Sequence, residues 1–305
     1  MRRNLQITIR IFIAACAGFT GLSAAASSTL PALQGLITDA RLTELSGMTS
    51  VSYNRKQLWA INDGGHGNKL YVISTKGAIE RELAMPEISN FDIEDLSAFR
   101  YRKQQMLAIG DIGDNGGVRE VRPIYIIDEP SATSDAIKLR WTVMFRFPDK
   151  RHDCESLFVD TKEGFIYLVN KRTEPPILFR VPLKPGAGTV ATAELIGIMP
   201  GAEAVQYDPS IKLSENQSKY ATQPTSAALS CDRRTLSLLT YTAIYHYRRR
   251  KNQSWKESFA DSLPTQIPLP PLPQAEAISY SADCRYLYVG SELTPSPLWR
   301  FKAPK

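Results

Sequence analysis

Cysteine, histidine and long hydrophobic runs are all scarce in this chain of 305 residues, and each scarcity excludes something. Of the 4 cysteines, Cys16 lies in the N-terminal stretch, which leaves Cys154, Cys231 and Cys284 for the folded part. At most one internal disulfide can form, so this is not a disulfide-built scaffold. The 3 histidines, His66, His152 and His246, stand in no metal-ligand spacing with one another, which argues against zinc. Beyond residue 26 there is no membrane-spanning apolar run and no capped helical periodicity. The nucleophile pattern GxSxG is absent. The segment GDIGDNGG at 110–117 opens no helix, as a phosphate-cradling loop would, and its spacing fails the EF-hand pattern.

What is present begins with a leader. Arg2, Arg3 and Arg10 precede an apolar run from Ile11 to Ala26 that ends in Ala24-Ala25-Ala26, the layout of a secretory signal peptide over residues 1–26. The expected location is therefore periplasmic or secreted. Ile13-Ala14-Ala15-Cys16 has the residue order of a lipoprotein signal, a subsidiary reading in which Cys16 is the anchor. Removing the leader lowers the net charge from +6 to about +3, which gives nucleic-acid binding no support. The basic run Arg248-Arg249-Arg250-Lys251 reads as a solvated loop or edge strand.

The remaining residues, 27–305, read as one all-β domain organised by a repeat. LWAIND at 58–63, MLAIGD at 106–111, IYLVNK at 166–171, LSLLTY at 236–241 and LYVGSE at 287–292 align as strands. Upstream of each lies a shorter strand, starting at Ser46, Glu94, Glu155, Thr225 and Glu276, and turn residues such as Thr161-Lys162-Glu163-Gly164 join the two. A third strand follows in each unit, for example KLYVIST from Lys69 and ILFRVPL from Ile177. Fourth strands read as IERELA, WTVMFRF, TAELIGIM and, less clearly, the segment around Trp255. Four antiparallel strands per unit predict a β-propeller of five blades. A sixth, degenerate blade is the alternative reading of the loop-like PGAEAVQYDPS at 200–210. The last unit stops after three strands, and ALQGLITDARL at 32–42 is expected to supply its fourth. LPTQIPLPPLPQ at 263–274 reads as a stiff extended connector. Cys231 and Cys284 both fall in hairpin loops of adjacent units, and Cys154 reads as a buried thiol beside an inner strand.

In antiparallel neighbours the start of one strand lies beside the end of the other. Glu94, Glu155 and Glu276 should therefore converge with Asp63, Asp111, Lys171, Tyr241 and Glu292 at one mouth of the central channel. Carboxylates crowded around a narrow opening repel one another, which leaves a bound cation, raised pKa values or pairing with Lys171 as ways out. Such hard oxygen ligands suit calcium or magnesium better than zinc, with Glu94, Asp63, Asp111 and Glu276 as the candidate metal set and calcium the candidate cofactor. Glu155 and Lys171 are the candidate catalytic pair, and Asp114, Asn115, Tyr241 and Glu292 the candidate substrate contacts. The competing readings are that the glutamates staple neighbouring blades through backbone N–H groups and that the Asn-Asp-Gly loops are ordinary turns.

These motifs, with ELSGM at 44–48, LWAINDGG at 58–65, FDIEDL at 91–96, GDIGDN at 110–115, HDCESL at 152–157, LVNK at 168–171 and QAEAI at 274–278, run in order along the chain. In them the chain resembles a family of secreted bacterial propellers grouped with phytase-like esterase and NHL/WD40-like propellers. The resemblance implies the propeller fold and, by the family's name, ester or phosphoester hydrolysis with calcium. Two departures count against a complete site: Ser46 and Thr225 stand where other blades carry an acid. Two functions follow as expectations. One is a monomeric binding or scaffold module of the cell envelope, holding a small molecule, an envelope protein or a glycan at the mouth. The other is a calcium-dependent hydrolase of esters, lactones or phosphoesters.

Overall fold

The computed structural model describes residues 30–304; the expected signal peptide, with Cys16, lies outside the described residues. Strand β1 (Ala32–Ile37) comes first. Blade 1 is β2 (Leu45–Ser50), β3 (Gln57–Asn62), β4 (Lys69–Ser74) and β5 (Ile79–Ala84), and blade 2 is β6 (Asp95–Tyr101), β7 (Gln104–Gly110), β8 (Arg122–Asp128) and β9 (Leu139–Arg146). Blade 3 is β10 (Cys154–Asp160), β11 (Phe165–Asn170), β12 (Ile177–Pro182) and β14 (Glu194–Ile198); the short β13 (Val190–Thr192) leaves it to pair parallel with β9. Blade 4 is β15 (Pro224–Leu229), β16 (Thr235–Thr240), β17 (Ala243–Arg248) and β18 (Thr265–Pro268). Blade 5 is β19 (Ala275–Tyr280), β20 (Tyr286–Ser291) and β21 (Ser296–Lys302), completed by β1 on the outer edge of β21. This is a five-bladed propeller closed by its N-terminal strand, and residues 200–213 form a loop, not a sixth blade.

Closure follows from side-chain alternation. On β3, Leu58 and Ala60 join the cluster shared with Tyr288 and Leu298 of blade 5, while Trp59 and Ile61 join the cluster shared with Leu107 and Ile109 of blade 2. Both faces are covered, so these strands read as continuous apolar runs. Five such clusters fill the five junctions between blades. Each fully buried aliphatic side chain contributes about 1.5–3 kcal/mol. Inner strands β2, β6, β10, β15 and β19 pack in that order around the channel, and β19 returns to β2.

Two expectations in blade 4 are corrected. The residues around Trp255 form helix α2 (Trp255–Asp261), following the short α1 (Glu215–Lys219). Ser254 caps α2 in a capping box with Glu257, and Trp255 and Phe259, four residues apart, face the core together. The outer strand is instead β18, drawn from the segment read as a connector. Pro264 precedes it and Pro268 ends it, which an edge strand tolerates. Cys231 and Cys284 are disulfide-bonded across blades 4 and 5, and Cys154 is buried and free.

Candidate functional site

Four of the five inner strands begin with a β-bulge. The register slips between Leu45 and Gly47, Cys154 and Ser156, Pro224 and Ser226, and Ala275 and Ala277. The extra residue in each is Ser46, Glu155, Thr225 or Glu276, the position singled out by the repeat. A bulge re-aims its side chain out of the ladder. Blade 2 pairs without a slip, Asp95 opposite Gly110, and Glu94 donates its amide to the Gly110 carbonyl at 2.9 Å. The ends of the second strands lie beside these starts: the amides of Asp63, Lys171 and Glu292 donate to the carbonyls of Glu44, Asp153 and Gln274 at 2.8–2.9 Å.

The side of the mouth built by blades 3, 4 and 5 is internally compensated. Lys171 Nζ donates to Glu155 and lies 5.4 Å from the centre of the Tyr241 ring. Burial works against its charge, but Glu276 and Glu155 outweigh burial and hold the ammonium protonated. Tyr241 Oη donates to Glu276 Oε1 at 2.8 Å, and Gln274 Nε2 donates both to Glu276 Oε1, at 2.9 Å, and to Glu292. Burial, followed by repulsion from Glu276 and Glu44, pushes Glu292 up to about 10. Asn216, on α1, donates to Gln274 and so ties the helix to this side of the mouth.

The side built by blades 1 and 2 is not compensated. Oxygens of Asp63, Asp92 and Glu94 all lie within 4.8 Å of one another. Burial raises Asp63 to about 6, and Asp92 and Glu276 add repulsion. Glu94 is 6 % exposed, and its Oε1 has no hydrogen-bond partner. Burial and then the charges of Glu155, Asp63 and Asp92 push its carboxyl well above the usual range. Asp92 accepts a bond from the Asn115 backbone, and its pKa is raised, first by burial and then by Asp153.

The remaining expected residues serve this architecture. Asp111 pairs with Arg119 at 2.7 Å and accepts from the Asp92 amide at 3.1 Å, so it positions the 91–92 loop outside the carboxylate trio. Asp114 accepts from the Val118 amide at 2.8 Å and pairs with the fully buried Arg122, which makes it the organiser of its own loop. Asn115 bonds Arg172, which also pairs with Asp153 at 2.7 Å. Sequence reasoning missed Asp92, Gln274 and Asp95. FDIED at 91–95 carries a visible signal, three acids at the entry to an inner strand, but only Glu94 falls on the repeat position.

Asp95 closes the channel below the mouth. Its carboxylate accepts from the amides of Leu157 in blade 3 and Ala227 in blade 4, at 2.8 and 3.2 Å, and from Ser226 Oγ at 3.0 Å. Blade 4 is not a neighbour of blade 2, so the side chain spans the channel. Burial raises Asp95 to about 8, against the pull of these donors.

No family model and no curated protein sequence matches this chain. Among solved structures, a chain from the crystal structure of a nidogen/laminin complex is similar, with 9% identity over 81% of this chain and 72% of that chain and a TM-score of 0.41. The propeller assignment stands on the blade topology itself.

Proposed function

We propose that this chain is a binding module whose mouth receives a positively charged ligand group. The carrying observation is the charge inventory: Asp63, Asp92, Glu94, Glu155, Glu276 and Glu292 converge, and Lys171 is the one ammonium ion-paired among them. Burial magnifies that imbalance, because carboxylates in a poorly solvated opening are stabilised by an added cation far more than exposed ones are. The partner is a small cation, or an envelope protein or glycan presenting a cationic group. The expected leader supports placement in the periplasm or outside the cell, and no helix among the described residues is long and apolar enough to cross a membrane.

A melting-temperature panel tests this reading, because a ligand bound only by the folded state raises the midpoint. Divalent ions and small mono- and diammonium compounds are expected to stabilise the chain, while small anions and neutral polyols leave it unchanged. Stabilisation by anions alone would overturn the reading.

The hydrolase reading has one observation in its favour: Glu155–Lys171 and Tyr241–Glu276 are buried acid–base pairs beside the carboxylate trio. Turnover of an ester, lactone or phosphoester that Glu155→Gln abolishes while ligand-induced stabilisation persists would select it over simple binding.

A further inference from the structure

The two sides of the mouth differ in how their charge is satisfied. Glu155 has Lys171, Glu276 has Tyr241 and Gln274, Glu292 has Gln274, Asp111 has Arg119 and Asp153 has Arg172. Asp63, Asp92 and Glu94 take part in none of the ion pairs among the described residues. Arg119 and Lys171 act on Asp92 and Glu94 only at a distance, so the rest of the neutralising charge comes from outside the chain or from protons.

Two features distinguish this trio from an ordinary acidic cluster. The first is the buried, unpartnered Glu94 Oε1. A buried carboxylate oxygen without a donor is costly, and native structures place a donor or a cation at such atoms. The second is Gly113: a Cβ added there would come within 2.4 Å of Glu94 Oε1 and 2.5 Å of Asp92 Oδ2. The two oxygens thus turn towards the same bare stretch of backbone, and any side chain at 113 would push into them. The loop is held for this purpose from behind, since Arg119 donates to the Gly113 carbonyl at 2.7 Å while pairing with Asp111.

We infer that Asp63, Asp92 and Glu94 form a site for one divalent cation, calcium in preference to magnesium, an inference that rests on the mouth being a receptor for positive charge. The ligand set is all carboxylate, hard oxygen donors with no His or Cys, which disfavours zinc. Calcium takes oxygens at about 2.3–2.6 Å and tolerates irregular geometry, whereas magnesium demands a near-ideal octahedron at about 2.1 Å. The three oxygens all lie within 4.8 Å of one another, close enough to share one such ion, and come from a loop and two strand ends with no imposed octahedral arrangement. Binding would join blade 1, which supplies Asp63, to the loop and strand start of blade 2, which supply Asp92 and Glu94.

The test is calorimetric titration of calcium chloride into the chelator-treated full chain, with a melting scan at each endpoint. Wild type is expected to bind one ion and melt higher. Glu94→Gln and Gly113→Ala are each expected to weaken binding at least tenfold. Glu94→Gln should melt no lower than ion-free wild type, because a neutral amide of the same shape replaces a buried carboxyl that has no ion-pair partner, so loss of binding there is not misfolding. Glu82→Gln, on the outer strand β5 away from the mouth, should still bind. Absence of calcium binding, or binding untouched by Glu94→Gln, overturns the assignment. If calcium fails while a diammonium compound stabilises the chain, the metal assignment falls and the mouth reading stands; if neither acts, both fall.

Discussion

At the scale of single residues, buried polar groups link the blades across the channel. Asp95 is the sharpest case. Both its carboxyl oxygens accept from the donors around them, so Asp95→Asn would set an amide NH2 against backbone N–H groups. The expected cost is about 2–4 kcal/mol, read as a lower midpoint in urea with unchanged slope. His246 is buried in blade 4 beside Ser237, and burial lowers its pKa to about 4. A depressed imidazole means that the unfolded chain binds the extra proton first. The stabilising contribution is full above about pH 6.5 and declines as pH falls towards 4, by up to about 3 kcal/mol. Unfolding measured from pH 7 to pH 4 should show a shallower decline in His246→Phe than in wild type; parallel curves would contradict this. Neither residue announced itself in the sequence. Asp95 lay one position from the glutamate that the repeat emphasised, and a lone histidine in a strand carries no sign of its surroundings.

At the scale of elements, what was legible depended on repetition. Second strands such as LWAIND and IYLVNK were readable because burial on both faces leaves long apolar runs, and the inner strands were found by their offset from them. Outer strands are half-exposed and lack a continuous apolar run, so the segment around Trp255 reads as blade 4's although α2 displays an S-x-x-E cap, and the true strand lies in a proline-rich stretch. The closing strand was legible because blade 5 lacked a partner. Its seat is tight, since a Cβ on Gly35 would sit 2.1 Å from the Lys76 carbonyl in the β4–β5 turn. Gly35→Ala should lift β1 from its place and destabilise by about 2 kcal/mol or more, with amide exchange increased first in β1 and β21. The disulfide works at the same scale, tying residues 53 apart on the hairpins of blades 4 and 5. Replacing Cys231 and Cys284 with serine is expected to cost about 4 kcal/mol by loop-closure entropy, measured by denaturant unfolding without reductant.

At the scale of the molecule, the two mouths of the channel differ in the charge they present. One mouth gathers carboxylates, Asp95 blocks the middle, and the opposite mouth opens into a cavity of about 490 Å³ whose lining mixes apolar side chains such as Met48, Phe99 and Ile278 with hydroxyls such as Thr49 and Ser279 and with Arg100 and Arg233, and holds no carboxylate. Convergence of the acidic residues at one mouth was readable from the antiparallel repeat alone. Their division into a compensated and an uncompensated side was not, because it depends on Arg119, Arg172 and Gln274, whose partners are distant or loop-borne. The most direct measurement is an anomalous difference map from crystals of the chain equilibrated with terbium, a calcium mimic, and with rubidium, an ammonium-sized ion. The account predicts a peak at the acidic mouth, terbium among Asp63, Asp92 and Glu94. Peaks confined to the opposite mouth or to the outer surface would contradict it.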